Sequence, residues 1–200
     1  MGVCKIIIRP MERNYIDDKN FENIDYTSIE FAIGEYDNCE FVNCNFSEVD
    51  LSEAGFTDCT FSACNLTMAK LTKAGFREVK FRDCKLIGLH FQDCNDFLFS
   101  ASFENCTLNL SGFYKRKLKL TKFINSMLHE VDFTESDLTG ALFDRCDLSR
   151  AIFSDAILEK ADFRTSFNYS IDPERNKLKK AKFSAEGVAG LLDKYDIDIE

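Results

Sequence analysis

No tryptophan occurs in this 200-residue chain, and it has only two prolines, two histidines and nine glycines. No apolar run approaches the roughly 18 residues of a membrane-spanning helix, so no membrane association is expected. Lys5-Ile-Ile-Ile-Arg9 is too short for a secretory leader. Ile6 stands where a myristoylation signal needs Ser or Thr. The chain therefore reads as cytoplasmic. With this length and a 45% hydrophobic composition, a single domain is expected.

What the chain has in abundance is phenylalanine, 20 residues of it, much of it in one column. Phe21, Phe41, Phe61 and Phe81 are 20 apart, as are Phe103, Phe123, Phe143, Phe163 and Phe183, and the step between the two sets is 22. Between these marks a large apolar residue recurs every fifth position, as at Phe46, Leu51 and Phe56. Helices and strands have side-chain periods of about 3.6 and 2, so neither explains a period of five. A chain that turns a corner every five residues does. Four corners close one square coil, which accounts for the 20-residue column. A fixed period maintained this long means an array of stacked units.

The other three columns agree with this reading. The second face carries Tyr26, Phe46, Leu66, Leu86, Leu108, Leu128 and Leu148. The third carries Phe31, Leu51, Leu71, Phe91, Phe113, Phe133 and Phe153. The fourth carries Tyr36, Phe56, Phe76, Leu98, Leu118, Leu138, Leu158 and Leu178. Like stacks on like, as a filled interior requires. The residue two positions before each centre is small and also points inward. Eight cysteines occupy that slot: Cys39, Cys44, Cys59, Cys64, Cys84, Cys94, Cys106 and Cys146. Cys39, Cys44, Cys59 and Cys64 divide between two faces and cannot converge on one tetrahedral zinc ion. They read as core fillers in a reducing compartment.

Repeats such as Ala161-Asp162-Phe163 and Cys64-Asn65-Leu66-Thr67 make the chain resemble the pentapeptide-repeat family. That resemblance implies an all-β fold, a right-handed quadrilateral β-helix of about eight coils with a short C-terminal helix. Residues 1–20 are expected to be an irregular N-terminal cap, 21–183 the β-helix, and 184–200 a helix and tail. Ser184 is placed to cap that helix, and Val188, Leu191, Leu192 and Tyr195 share one face, with Ile197 and Ile199 beyond. The arrangement resembles the quinolone-resistance (Qnr) and peptide-toxin immunity branch, in which a terminal element dimerises. An end-to-end homodimer about 80 Å long is expected from coils stacked ~4.8 Å apart. The same helix could instead only cover the open end of the stack.

His90 and His129 lie beside apolar centres on different faces without a Cys, Ser or metal-ligand companion. No glycine-rich phosphate loop or nucleophile motif is present. No catalysis, metal or cofactor is expected, and function must come from the outside of the rod. That outside is segregated by charge. Ten acidic residues (Glu22, Asp25, Glu30, Glu35, Asp37, Glu40, Glu48, Asp50, Glu53 and Asp58) precede any base between positions 20 and 69. This stretch spans about two and a half coils, or ~12 Å, where duplex DNA carries about 7 charges. The N-terminal end can match DNA in charge density. The middle cannot, because bases cluster at Lys70, Lys73, Arg77, Lys80, Arg82 and Lys85 and again at 115–122. An acidic chain with net charge −9 also opposes direct nucleic-acid binding.

Two further features break the pattern. Two residues are inserted between Phe91 and Leu98, and Phe97 and Phe99 should then face solvent near Arg77, Lys117 and Lys119. Two exposed aromatics ringed by cations make a candidate partner surface; alternatively, one ring folds back and plugs the bulge. In the last coil Asn168 and Pro173 stand at centre positions, which predicts a projecting loop over 167–177. The resemblance implies DNA gyrase or topoisomerase IV as partner, protected from a quinolone or a peptide toxin. No long loop interrupts the coils, so contacts attributed to such loops are not carried over. A scaffold for an unrelated protein is the alternative.

Overall fold

A computed structural model describes residues 14–97 and 99–198. The chain alternates between two sheets. It runs through β1 (Asn14–Asp17) and β2 (Asn20–Glu22), then β3 (Gly34–Asp37) and β4 (Glu40–Val42). β5 (Gly55–Thr57), β6 (Thr60–Ser62), β7 (Gly75–Arg77) and β8 (Val79–Arg82) repeat the alternation. After the insertion come β9 (Ala101–Glu104), β10 (Lys122–Ile124) and β11 (Leu142–Asp144). The fourth face is a four-stranded sheet, β1-β3-β5-β7, and the first face a seven-stranded one. Every pairing is parallel, and Phe41 lies beside Phe61 and Phe61 beside Phe81. The other two faces are joined by single bridges such as Asn45↔Asn65 and Asp132↔Ile152.

This is the right-handed quadrilateral β-helix. Its seven first-face strands enclose about six turns, slightly fewer than the eight expected. The circuit after β11 is held by single bridges such as Asp162↔Lys182 instead of strands. A second correction lies at the start. Asn14–Asp17 pairs in register with Gly34–Asp37, so Ile16 belongs to the fourth-face column and not to an irregular cap. Residues 1–13 lie outside the described residues.

Two interactions hold the stack. Inside, rings of one column lie parallel, Phe41 over Phe61 at 4.7 Å and Phe123 over Phe143 at 4.9 Å. Rings of adjacent columns meet edge to face, as Phe123 does Phe133 at 5.8 Å. Both geometries suit the aromatic quadrupole. At most corners, the residue two after the centre has a positive φ, including non-glycines such as Met68 (56°), Leu110 (62°) and Leu120 (60°). Left-handed backbone costs an L-residue about 1–2 kcal/mol. The conformation aims each amide at the next coil, as Leu110 N–H does at the His129 carbonyl (2.9 Å), which offsets that cost.

The small inward slot does more than fill space. Cys64 Sγ donates to the Phe41 carbonyl at 3.3 Å and lies 3.4 Å from the Cys44 amide that donates to it. Ser166 makes the same pair of bonds, Oγ to the Phe143 carbonyl at 2.7 Å and the Cys146 amide to Oγ at 3.1 Å. Each thiol or hydroxyl thus satisfies backbone groups that the corner leaves unpaired. Burial pushes the Cys59 thiol up to about 12, so it stays protonated and able to donate.

The chain leaves the regular path between the bridges at Phe167 and Lys177, as Asn168 and Pro173 imply. The segment does not simply project. Tyr169 and Ile171 turn inward in place of the missing centres, and Asn176 is buried. The tail is not one amphipathic helix but two short 3₁₀ segments, Glu186–Leu191 and Asp193–Tyr195. Ser184 Oγ accepts the Gly187 amide at 3.0 Å, the capping role expected of it. A Cβ at Gly187 would lie 2.0 Å from Tyr169 Oη, and one at Gly190 2.1 Å from the Tyr169 carbonyl oxygen. Glycine lets this tail seat on Tyr169.

Candidate functional site

The interior is closed, so what can act lies on the four outer faces. Among the described residues, no group of three or more His, Cys, Asp or Glu side chains could hold a metal ion. His129 Nε2 lies 2.9 Å from Asp147 Oδ2, and His90 Nδ1 lies 2.9 Å from Gln92 Nε2. Among the described residues, neither imidazole is hydrogen-bonded to a Ser, Thr, Cys or Lys side chain.

The structure separates the two aromatics of the bulge. Phe97 is 71% exposed, with the Arg77 guanidinium 5.9 Å from its ring centre. Phe99 is not outside. It folds back against Phe76 (6.3 Å) and Phe91 (6.1 Å) and plugs the gap opened by the insertion. Leu98, expected inward, lies outside the described residues.

Arg116 completes the plug. Its position, two before Leu118, is the small inward slot, and only 2% of its side chain is exposed. Nη1 donates to the Cys94 carbonyl (3.1 Å) and to Asp96, and Nη2 donates to the Asn95 carbonyl (3.0 Å). The two carbonyls belong to the backbone that the inserted pair pushes out of the ladder, and Asp96 adds its carboxylate. The insertion is therefore paid for in hydrogen bonds by one long cation from the next coil. Arg116 belongs to the basic cluster at 115–122 expected on the surface, yet its place in the five-residue phase puts it inside.

Around this bulge some bases are paired with carboxylates and others are not. On the third face Lys70, Lys73 and Lys115 lie 4.0, 3.7 and 3.4 Å from Asp50, Glu53 and Glu135. Lys119 also has a partner, Asp137 at 3.2 Å. Among the described residues, no carboxylate lies within ion-pairing distance of Arg77, Lys80, Lys117 or Lys122. The register places Lys80 and Lys122 on either side of Ser102 along the first face. The middle of the rod thus carries a basic strip on its first and fourth faces, with the exposed ring of Phe97 beside it.

The ten carboxylates of the N-terminal end do not form one stripe. Glu22 and Glu40 flank first-face centres, Asp25 and Glu48 second-face centres, Glu30, Asp50 and Glu53 third-face centres, and Glu35, Asp37 and Asp58 fourth-face centres. They ring the rod. The Thr27 hydroxyl and amide lower the Asp25 carboxyl from its usual range, and those of Ser52 do the same for Asp50.

At the other end Val188 (43%), Tyr195 (51%) and Ile197 (54%) are exposed. Leu191 packs on the core instead, and Leu192 is half-buried. Ile199 lies outside the described residues. The tail is tied to the last coil by Lys194, 2.8 Å from Asp172 and 2.6 Å from Glu174, and by Tyr195 Oη donating to Glu174 at 2.9 Å.

The four-sided parallel solenoid with a five-residue repeat defines the class, and the sequence agrees. Residues 34–95 and 97–168 match the model of the pentapeptide repeat region, and the chain belongs to the pentapeptide-repeat family. The break in the match falls at the bulge. No curated protein matches the sequence. Among solved structures, a trypsin-treated variant of QnrB1, a plasmid-mediated fluoroquinolone resistance protein, is similar at 17% identity with a TM-score of 0.59. That match covers 94% of this chain and 98% of the other. HetL, involved in heterocyst differentiation regulation in the cyanobacterium Nostoc sp. strain PCC 7120, is similar at 19% identity with a TM-score of 0.65. It covers 88% of this chain and 91% of HetL. Identities this low speak for the shared fold alone. No helix of the described residues is long and apolar enough to cross a membrane.

Proposed function

We propose that this chain is a non-enzymatic docking rod whose partner is a type II topoisomerase, DNA gyrase or topoisomerase IV. It engages the enzyme partly through its acidic end, in place of DNA, and protects it from a quinolone or a peptide toxin. The carrying observation is the ring of ten carboxylates in about two and a half coils. It meets the ~7 charges that duplex DNA presents over the same ~12 Å, and it surrounds the rod as phosphates surround a duplex. The description of QnrB1 as a fluoroquinolone resistance protein supplies the choice of poison. The exposed Val188, Tyr195 and Ile197 support an end-to-end homodimer with the acidic ends at the far tips, where their repulsion is least.

A second reading, a scaffold for an unrelated protein, is favoured by the basic strip around Phe97, which a DNA mimic has no use for. A gyrase supercoiling assay with a quinolone, with and without the protein, tests the first reading: restored supercoiling supports it, and no effect at high micromolar protein removes it. Recovery of topoisomerase subunits in a lysate pull-down separates the two readings.

A further inference from the structure

Coil-to-coil hydrogen bonding is regular on the third face of the second coil where it meets the third. Leu51 N–H donates to the Lys70 carbonyl (2.9 Å), Lys70 N–H to the Val49 carbonyl (3.0 Å) and Glu53 N–H to the Thr72 carbonyl (2.9 Å). The equivalent bonds toward the first coil are missing. Asp25↔Asn45 is the last contact before the gap, and the ladder resumes only at Glu35↔Gly55. Between them the first coil swings outward. Ser28 N–H turns back to the Asp25 carbonyl at 3.3 Å, and Tyr36 Oη reaches the Ala32 carbonyl at 2.6 Å. Phe31 still fills the core, so the side chain stays while its backbone leaves.

The second coil is left with an open edge. Asp50 N–H and the carbonyls of Ser47, Asp50 and Ser52 have no backbone partner among the described residues. A groove of about 810 Å³ lies along them. Its apolar wall is Ile29 (54% exposed) and Ile33 (47%), with the half-buried Val49. Its charges are all negative, from Glu30, Glu48 and Asp50. Unpaired strand edges accept added strands, and the side chains around them select what is added.

We propose that this slot binds an extended segment of a partner protein, carrying alternating apolar and basic side chains, by strand addition to the second coil. The segment's backbone takes up the Asp50 amide and the free carbonyls. Its apolar side chains cover Ile29 and Ile33, and its Lys or Arg side chains meet Glu30 and Glu48, Asp50 being shared with Lys70. The proposal rests on the docking reading only in taking the ligand to be a protein; it does not require a topoisomerase.

The test uses the full chain and three synthetic hexapeptides: Lys-Ile-Lys-Val-Lys-Val, the same peptide N-methylated at alternate amides, and Glu-Ile-Glu-Val-Glu-Val. Hydrogen exchange of the Asp50 amide and peptide affinity are measured by NMR. The basic peptide is expected to slow that exchange by at least about tenfold, and the other two are not. Glu48→Lys and Ile33→Glu are each expected to weaken the basic peptide by about tenfold, which is ~1.4 kcal/mol. Equal binding of all three peptides overturns the proposal, as does unchanged Asp50 exchange. So does an Asp50 amide already protected without peptide, because the chain would then fill its own slot. A negative gyrase assay leaves each of these outcomes readable.

Discussion

The guanidinium carbon of Arg116 lies 4.5 Å from the ring centre of Phe99, and both side chains are turned into the bulge that the insertion creates. Together they replace a coil corner: the ring supplies the apolar filling and the cation the hydrogen bonds. Arg116→Ala leaves the Cys94 and Asn95 carbonyls without a donor and opens a void. It is expected to cost about 2–4 kcal/mol, and urea unfolding with limited proteolysis at 95–99 checks this. Arg116→Lys should recover only a small part, because one ammonium cannot span the two carbonyls and Asp96.

The inward columns and the outer faces should respond very differently to truncation. Phe123 is fully buried between Phe103 and Phe143, so Phe123→Ala is expected to cost about 3–5 kcal/mol. Phe97→Ala should cost under about 0.5 kcal/mol, because its ring is outside. Similar losses for the two in denaturant unfolding would refute the assignment of inside and outside.

Polar atoms of the small inward slot should matter apart from their volume. Ser166→Ala removes the donor to the Phe143 carbonyl and the acceptor for the Cys146 amide, both buried. A loss of about 1–3 kcal/mol is expected. Ser166→Cys keeps both bonds in the form seen at Cys64 and should lose less. A thermal or urea series across the three proteins decides it.

Stability should fall in acid in a window set by Asp162. Hydrogen bonds from Arg164, Nε at 3.0 Å and Nη2 at 2.8 Å, hold its carboxyl down at about 2, against an ordinary 3.8. A depressed folded value means the contribution is present above about 3.8 and is lost as pH falls toward 2. Allowing for screening at a partly exposed pair, it amounts to about 1–2 kcal/mol. The stability difference between wild type and Asp162→Asn should be flat from pH 5 to 8 and shrink between about 4 and 2.

The end-to-end dimer is expected to depend on the exposed residues of the tail, not on Leu191, which is held by the core. Val188→Asp with Ile197→Asp should give a folded monomer by light scattering, with the tail still tied down through Lys194 and Tyr195. A wild-type chain already monomeric at micromolar concentration would count against the dimer and against that part of the proposed function.

The fold was legible because it repeats. Each of Phe41, Phe61 and Phe81 reports the same environment, so a five-residue phase and four columns could be read without coordinates, and so could the inward place of the cysteines. Where the repeat breaks, the sequence shows the break but not its resolution. Two extra residues before Leu98 announce a bulge; which ring turns in depends on Arg116, a coil away, being long enough to reach the displaced carbonyls. Asn168 and Pro173 announce a departure from the path; that Tyr169 and Ile171 fold inward depends on Gly187 and Gly190 letting the tail come close. The open edge at Asp50 had no sequence mark, since Phe31 keeps its column while the backbone behind it moves away. Period and composition determine which side chains are buried. Contacts between residues about 20 apart decide how an irregular segment satisfies its backbone, and only the tertiary structure contains them.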